Sequence, residues 1–415
     1  MPWFARAWMP WFARAFMLLV AGVAIAGVVG SAACTRRGKS TPLPPTIAPL
    51  TTLEVNPKTG SDTTGNGSSE KPYKTLTKAV DVVKNSTTPG LTIQLADGVY
   101  SVTGGEKFPI VIPTGMTING STYGSGFAKG SFINGEGEDL AFEKLVGAPA
   151  GTAFATLEIA PGVASVSLNR LYVGSSHLPI ATTSSYAALD VIGSTSASHA
   201  SFAAGTPFSS HPKTAGVLVP SGNINCTGCA IFGSNSALLA FTVPNGAAPL
   251  VVLGGQPTQG MIGGKIGIAT DGTANINASF QTFQSSEYGY RDSVMPLASP
   301  SASSLLGPVD FGNGLDLSPG GNSFVGAGVV SEVSVTLPLV LVYAEGDYWN
   351  VGTQGTNAHG QYPKKIVFNA GTQGKNVTID AAATGAQVVV GPIPAPTPTP
   401  ISSGSPSPGP SPSAT

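Results

Sequence analysis

Short β-favouring runs, separated by Gly, Asn, Ser and Pro, make up most of this chain. The runs alternate apolar and polar positions or stay apolar over five or more residues, which is typical of half-buried and fully buried strands. A helical period is clear in one stretch, Ser69 to Ser86, where apolar residues repeat at i, i+3, i+4 and i+7. Those residues are Leu76, Ala79, Val80 and Val83, and the clearest strand runs are LTIQL, FPIVI, MTING, ATLEIA, VASVSL, AGVLVP and VSVTLPLVLVYA.

The helix predicted in this stretch has recognisable ends. Thr75 is the expected N-cap, because it follows Pro72 and its hydroxyl can accept a hydrogen bond from an exposed backbone N–H. The helix should end before Pro89-Gly90, since proline disfavours helical continuation and glycine supplies a turn.

The place of this helix along the chain indicates the fold. A β-sandwich and a β-solenoid both need alternating strands, so periodicity alone does not separate them. A single amphipathic helix ahead of the first buried strand, Gly90 to Tyr100, can cover the open end of a coil of parallel strands. The sequence therefore predicts an all-β chain that folds as a parallel β-helix with a short N-terminal capping helix.

Composition agrees with a turn-rich β protein and excludes one class of function. The 415 residues include 54 Gly and 35 Pro, with 41% hydrophobic and only 10% charged residues. Twenty basic residues against 21 acidic ones give a net charge of −1, without a basic stripe. Nucleic-acid binding is therefore not expected.

Residues 1–34 have the features of an export segment. A tandem octapeptide carries Arg6 and Arg14, and the uncharged run Ala15 to Ala33 follows it. Translation can start at Met1 or at Met9, because the second copy alone supplies the charge and the aromatic residues.

The end of this segment leaves three possibilities open. Small residues precede Cys34, as in lipoprotein signals whose cysteine is lipidated, although Ser31 stands where such signals prefer Leu, Val or Ile. Plain cleavage after Ala33 and an uncleaved membrane anchor are the alternatives, since about 20 apolar residues suffice to cross a bilayer. All three predict that the remainder of the chain is exported. It would then lie in the periplasm or at the cell surface, held there by an N-terminal membrane tether, or be secreted into the medium.

Beyond this segment, composition divides the chain into three parts. Residues 35–52 are polar and proline-rich and should form an extended linker, and residues 392–415 should be a disordered Pro/Ser/Thr-rich tail. Residues 53–391 lie between them as one β-helix domain, expected to be a monomer. The small, polar stretch 181–214 is the candidate for a long excursion from the coils.

Two blocks of motifs carry a family resemblance. The first block carries Gly60, Asp62, Pro72, Tyr73, Lys74, Thr75, Gly98, Val99, Tyr100, Glu106, Phe108, Pro109, Ile110, Ile112, Thr117, Ile118 and Gly120; the second carries Gly320, Gly321, Asn322, Phe324, Tyr343, Ala344, Gly346, Trp349 and Asn350. Together the two blocks resemble a family of unknown function among the pectate-lyase-like, right-handed parallel β-helix proteins. The resemblance implies coils of roughly 20 to 25 residues, on the order of eight to twelve of them.

The resemblance also implies which chemistries to look for. Pectate lyases of this fold hold Ca²⁺ on clustered aspartates and use a Lys or Arg as the base. Glycoside hydrolases of the same architecture need two carboxylates about 5 to 10 Å apart. The matched motifs are structural, so they transfer no catalytic residue to this chain.

The densest polar group lies in SSEYGYRDS. Glu287, Arg291 and Asp292 are the candidate acids and base, and Tyr288 and Tyr290 are the candidate sugar-binding aromatics. A solvated loop explains the same residues, because no motif specifies them.

Two acidic groups are candidate Ca²⁺ sites, which makes calcium the only cofactor suggested. GEGEDLAFEK lacks the ligand spacing of an EF-hand loop and also reads as an acidic turn. AEGDYWN places two acids on one strand face, where structural packing of Trp349 is the competing interpretation. The residues concerned are Glu136, Glu138, Asp139 and Glu143 in the first group, and Glu345 and Asp347 in the second.

Cys226 and Cys229 form a CTGC pair within a predicted coil. Redox catalysis would need the first cysteine at a helix start in a βαβ unit, which the sequence does not indicate. In an exported protein we expect a local disulfide or two stacked thiols.

These features favour a binding or structural surface module for extracellular or cell-envelope glycans. A polysaccharide lyase or glycoside hydrolase is the alternative, disfavoured by low charge, because a groove for an acidic polymer should be rich in charged residues. A spacer or adhesin module is the third hypothesis. An enzyme predicts a groove where acids and a base converge, a binder predicts exposed aromatics without them, and a spacer predicts neither.

Overall fold

The structure is a computed structural model, and it describes fifteen stretches of the chain. The export segment, Cys34, most of the linker and the C-terminal tail lie outside them and remain sequence predictions. No described helix is long and apolar enough to span a bilayer. The described residues are 51–86, 90–121, 130–175, 185–204, 214–254, 260–292, 307–312, 319–324, 331–335, 341–345, 348–350, 359–361, 366–369, 377–379 and 387–391.

Strands dominate the described chain, as the alternating runs predict. The helices are α1 (Leu76–Lys84) and α2 (Leu140–Val146), with a 3₁₀ turn at Val102–Gly104. The strands are β1 (Thr52–Val55), β2 (Thr92–Leu95), β3 (Gly98–Ser101), β4 (Ile110–Val111), β5 (Thr117–Asn119), β6 (Ser131–Asn134), β7 (Gly137–Glu138), β8 (Ala153–Ile159), β9 (Val166–Asn169), β10 (Tyr172–Ser175), β11 (Ser185–Val191), β12 (Ser194–Ser198), β13 (Ser201–Ala204), β14 (Thr214–Pro220), β15 (Asn223–Thr227), β16 (Ala230–Phe241), β17 (Leu250–Gly254), β18 (Gly260–Thr270), β19 (Asn275–Ala278), β20 (Gln281–Arg291), β21 (Val309–Gly312), β22 (Ser323–Phe324), β23 (Ser331–Val335), β24 (Leu341–Glu345), β25 (Tyr348–Asn350), β26 (His359–Gln361), β27 (Ile366–Asn369), β28 (Val377–Ile379) and β29 (Gln387–Gly391).

The strands stack into long parallel sheets, which confirms the β-helix. The first sheet has 12 strands in the order β1-β2-β5-β9-β12-β15-β17-β19-β21-β24-β29-β27, and its neighbours pair in parallel except at β27. The other 17 strands stack in two further columns, and we call each strand of a column a rung. The long strands β16, β18 and β20 run through both of these columns. We call the column that contains β10 and β13 the second sheet, and the column that contains β8 and β11 the third sheet.

Coil length varies: Thr92 and Thr117 on neighbouring rungs are 25 residues apart, as the resemblance implies, whereas other coils are longer. Ser167 and Ser196 stand on neighbouring rungs of the first sheet and are 29 residues apart. Asn119 and Asn169 are also neighbours across that sheet, yet 50 residues separate them because the chain adds β7 and α2 between them.

The stretch 181–214 is not one long excursion. It contributes β11, β12 and β13 as regular rungs, whose inward positions include Leu189, Ala197 and Phe202. The prediction was wrong because small residues such as alanine fill inward positions here, which lowers the hydrophobic signal without changing the alternation.

The interior of the coils is one continuous apolar core. Rows of Ile, Val and Leu stack from rung to rung, for example Ile93 on Ile118 on Leu168 in the first sheet. Towards the last coils the core becomes aromatic, where Phe283 and Phe324 stack with ring centroids 4.5 Å apart.

The predicted capping helix is present, with its predicted N-cap. The Thr75 hydroxyl accepts a hydrogen bond from Lys78 N at 3.1 Å, and Leu76, Ala79 and Val80 are buried in the core. Two residues of the loop before the helix form hydrogen bonds with Glu54 on the outer edge of β1. Glu54 N donates to Gly67 O at 2.8 Å, and Tyr73 N donates to Glu54 O at 3.0 Å.

Candidate functional site

The outer face of the first sheet carries a ladder of uncharged polar side chains. Inward positions on each rung are apolar, so the alternate positions point away from the core. Between β2 and β19, none of the described outward positions of this sheet is charged. We call this face the polar ladder; its side chains include Thr92, Gln94, Thr117, Asn119, Ser167, Asn169, Ser194, Ser196, Ser198, Asn223, Asn225, Thr227, Asn275 and Asn277.

Hydrogen bonds between rungs order the polar ladder. The hydroxyls of Ser167 and Ser196 are 3.2 Å apart, and Asn169 Nδ2 donates to Asn119 Oδ1 at 3.0 Å. Each bonded side chain keeps further donor or acceptor capacity, since an amide has two donors and two acceptor lone pairs. The face therefore presents hydroxyl and amide groups to solvent about 4.8 Å apart from rung to rung, except at β17, whose outward residues are Leu250, Val252 and Gly254.

Two motif acids serve the capping helix and not a surface site. Asp62 accepts from Lys74 N at 2.8 Å, from Thr75 N at 3.0 Å and from the Thr75 hydroxyl at 2.7 Å. Gly60, two residues earlier, has no room for a side chain, because a Cβ there would clash with the carbonyl oxygen of Tyr73. The Gly-x-Asp motif thus holds the entry to α1.

Glu106 completes the same cap from the next coil. Its Oε1 accepts from Leu76 N at 2.7 Å, and its Oε2 accepts from Thr77 N at 2.8 Å and from the Thr77 hydroxyl at 2.6 Å. The side chain is 4% exposed, and this burial raises its pKa although the Thr77 hydrogen bonds oppose the shift. These partners make Glu106 a structural residue.

The structure does not assemble the SSEYGYRDS group at the surface. Tyr290 and Asp292 are fully buried, and burial raises the pKa of the Tyr290 hydroxyl. Glu287 instead pairs with Lys265 at 3.1 Å, while the Arg291 guanidinium lies 4.8 Å from the ring centroid of the half-buried Tyr288. The predicted group is therefore divided between the surface and the interior, because Asp292 and one of the two tyrosines are buried.

The acidic turn before α2 is also tied to backbone groups. Asp139 is the N-cap of α2 and accepts from Phe142 N, and exposed Glu138 accepts from Gly151 N. Buried Glu143 accepts from Thr152 N and Ala153 N, and half-buried Glu136 lies between β6 and β7.

Calcium stays a prediction. The described residues hold no group of three or more His, Cys, Asp or Glu side chains arranged for a metal ion. Glu345 ends β24, and Asp347 lies outside the described residues.

Of the two predicted alternatives, a disulfide or a pair of thiols, the structure has the second: Cys226 and Cys229 are buried free thiols. Both belong to the apolar core, on either side of the bend at Gly228, and the Cys229 thiol donates to Ala197 O at 3.7 Å. A hydrogen bond with Cys229 raises the pKa of Cys226 well above its usual range, and burial adds to the shift. A raised pKa disfavours the thiolate, so the pair suits packing and not redox catalysis.

Sequence reasoning missed a buried carboxyl cluster beside α2. Glu158 on β8 and Asp190 on β11 are paired residues of neighbouring rungs, and Asp139 lies beside Asp190. The pKa of Glu158 is raised to about 7, mainly by burial and in addition by the Asp139 charge, whereas Lys84 acts in the opposite direction. Acidic residues inside the apolar runs ATLEIA and AALDVI were the available signal.

Asp190 is the most extreme member of this cluster. It is fully buried, and neither of its carboxyl oxygens accepts a hydrogen bond from a described donor. Burial raises its pKa well above the usual range, and the Asp139 and Glu158 carboxyls add to the shift. Asp190 therefore favours its protonated, uncharged form.

Comparisons with known proteins leave the activity of this chain open. Residues 58–152 match a family described as "Protein of unknown function (DUF1565)". No curated protein matches the chain. Among solved structures, the chain is similar to native GH136 lacto-N-biosidase from Eubacterium ramulus, with 10% identity, a TM-score of 0.30 and coverage of 82% of this chain and 68% of that chain. The selenomethionine derivative of that enzyme gives 11% identity, a TM-score of 0.34 and the same coverage.

Proposed function

We propose that this chain is an exported surface module that binds a neutral polysaccharide on its polar ladder. The observation that carries the proposal is the series of outward hydroxyl and amide groups on the rungs from β2 to β19, interrupted by apolar residues at β17 and without a charged side chain among the described outward positions. Sugar hydroxyls are both donors and acceptors, so hydroxyl and amide side chains complement them.

The geometry suits a polymer of repeating units. From β2 to β15 each rung offers similar groups, about 4.8 Å after the previous one, so a chain lying along the axis of the β-helix meets the same contacts repeatedly; the apolar rung β17 separates these groups from those of β19. Single hydrogen bonds contribute only about 0.5 to 1.5 kcal/mol net, and affinity has to come from their number. The uncharged face favours a neutral glycan over a polyuronate, which would require basic residues or bound cations.

The membrane tether belongs to the same proposal. Lipidation at Cys34, with the proline-rich linker behind it, would hold the polar ladder outside the membrane. A polysaccharide-cleaving enzyme is the second candidate, favoured by Glu158, whose pKa of about 7 suits a general acid. Against it, Glu158 is only 4% exposed.

The polar ladder predicts a selective loss of polysaccharide binding. Ser196→Arg combined with Asn225→Arg, at two exposed rungs in mid-ladder, should weaken binding of a neutral polysaccharide at least about tenfold, because the new side chains cover neighbouring sugar contacts. Affinity electrophoresis in gels that contain single neutral or acidic polysaccharides measures the change. Gln284→Arg, at an exposed position of the second sheet, is the matched control and should bind like the wild type.

Two outcomes would contradict the proposal. One is that no neutral polysaccharide retards the wild-type protein, and the other is equal retardation of the double variant. New reducing ends released from any polysaccharide, and lost in Glu158→Gln, would instead establish the enzyme.

A further inference from the structure

The outer face of the second sheet has a gap in its side chains between two aromatic residues. Tyr172 on β10 and Phe232 on β16 are outward residues two rungs apart. The outward residues between and beside them are small. We call this gap the notch; its floor consists of Gly174, Ser201, Ala203 and Ala230.

Strand alternation fixes the direction of these side chains. Val173, Phe202 and Ile231 are buried in the core, and each lies between two residues of the notch. Their neighbours in sequence must therefore point outward. Ala203 is exposed, and Tyr172 and Phe232 are partly exposed, in agreement with this direction.

The two aromatic rings lean away from each other. Tyr172 stacks on Phe132 of the preceding rung, with centroids 4.7 Å apart and an interplanar angle of 15°. Phe232 leans over the following rung, where a Cβ added to Gly263 would lie 2.7 Å from its ring. The space above the small residues is thus open between them, and glycine at position 263 allows the Phe232 orientation.

The dimensions of the notch match one sugar ring. Two rung spacings give about 10 Å along the axis, and two residues of strand give about 7 Å across it. A pyranose is amphipathic, with C–H groups on its faces and hydroxyls at its edge, so it can lie against an aromatic ring and a small apolar floor. Exposed Arg170 and His199 lie at the adjoining corner, two residues before Tyr172 and Ser201.

We propose that the notch binds a single pyranose unit of a neutral glycan, held against Tyr172 and Phe232 over the floor of Ser201 and the two alanines. The proposal shares with the proposed function only the class of ligand, because the notch lies on the second sheet and the polar ladder on the first. It gives the protein a second site, specific for a terminal or branching sugar and not for a polymer backbone.

The test uses methyl glycosides as probes, which are too small to span several rungs of the polar ladder. Saturation-transfer NMR of the full protein with methyl β-D-glucopyranoside, methyl β-D-galactopyranoside and methyl N-acetyl-β-D-glucosaminide should show transfer to ring C–H protons for at least one probe. Ala203→Trp should abolish the signal by filling the notch. Tyr172→Ala and Phe232→Ala should each raise the dissociation constant at least about fivefold, because each removes one aromatic wall.

Gln284→Trp is the matched control, since Gln284 is exposed in the same outward row beyond Gly263 and its replacement leaves the notch open. It should retain the signal, as should the Ser196→Arg/Asn225→Arg ladder variant. Absence of transfer from all three probes to the wild type would overturn the proposal, and so would transfer that survives in folded Ala203→Trp. Binding of a polysaccharide to the polar ladder is measured separately, by retardation in affinity electrophoresis. Either proposal can therefore be contradicted without the other.

Discussion

Replacing Glu106 with alanine should lower the free energy of unfolding by about 3 kcal/mol. The substitution removes the acceptor for Leu76 N, Thr77 N and the Thr77 hydroxyl at the start of α1. Leu76 N is in a buried environment, where an unsatisfied donor costs about 1 to 3 kcal/mol, and hydrogen bonds to a charged acceptor contribute more than neutral ones. Urea unfolding followed by circular dichroism measures the loss.

Two further variants show whether the loss of stability comes from the cap of α1 or from removing any acidic side chain. Glu106→Gln keeps one acceptor oxygen and should cost less than half as much. Glu138→Ala removes an exposed acid with one hydrogen bond, to Gly151 N, and should cost less than about 1 kcal/mol. Equal stability of the two alanine variants would show that Glu106 does not hold the capping helix.

Raising the pH from about 4.5 to 7 should cost the wild type about 3 kcal/mol relative to Glu158→Gln. The pKa of Glu158 is raised from 4.5 to about 7 in the folded state, so across this range the folded protein binds a proton that the unfolded chain releases. Stability then falls as pH rises, by 1.36 kcal/mol for each unit of pKa difference, and levels off above the folded pKa. Glutamine stays neutral throughout, so its variant lacks this contribution.

The measurement is a series of urea midpoints at pH 4.5 to 8 for both proteins. The difference between their free energies of unfolding isolates Glu158 from the other carboxyls. Asp139, Asp190 and Lys84 are the charged or titratable groups that act on the cluster, and Asp190 shifts in the same direction. A difference that is flat, or that favours the wild type at higher pH, would contradict the buried, protonated state.

The parts of the fold that sequence predicts well depend on local signals. Helix α1 was confirmed together with its N-cap Thr75, because the apolar spacing, the capping hydroxyl and the flanking prolines all lie within 20 residues of one another. The β-helix was predicted from the order of elements, since a helix near the start of many short strands suits a solenoid. The parallel pairing of the strands confirms it.

The SSEYGYRDS group shows why side-chain direction was harder to predict. The pairing of β18 with β20 shifts register between Gly264 and Ile266, opposite Ser285 and Tyr288. Beyond this irregularity Tyr290 lies in the core, with its ring centroid 5.7 Å from that of Phe311, whereas Tyr288 is only half-buried. A bulge of this kind depends on the neighbouring strand and has no local signature.

The carboxyl cluster and the notch required the register of whole coils. Glu158 and Asp190 become neighbours only when β8 pairs with β11, and Tyr172 and Phe232 are connected only through β13. A single sequence does not give coil boundaries accurately enough to align such residues. Both features therefore emerge from the structure alone.

The two ends of the first sheet also determine how copies of this protein can meet. An uncapped stack of parallel rungs is a template onto which another chain can add, and repeated addition gives a filament. Here the loop before α1 already occupies Glu54 N and Glu54 O on the first strand, and β27 closes the far end in the antiparallel sense. The two described ends of this sheet are therefore poor templates for a further parallel strand, which protects the fold against end-to-end polymerisation.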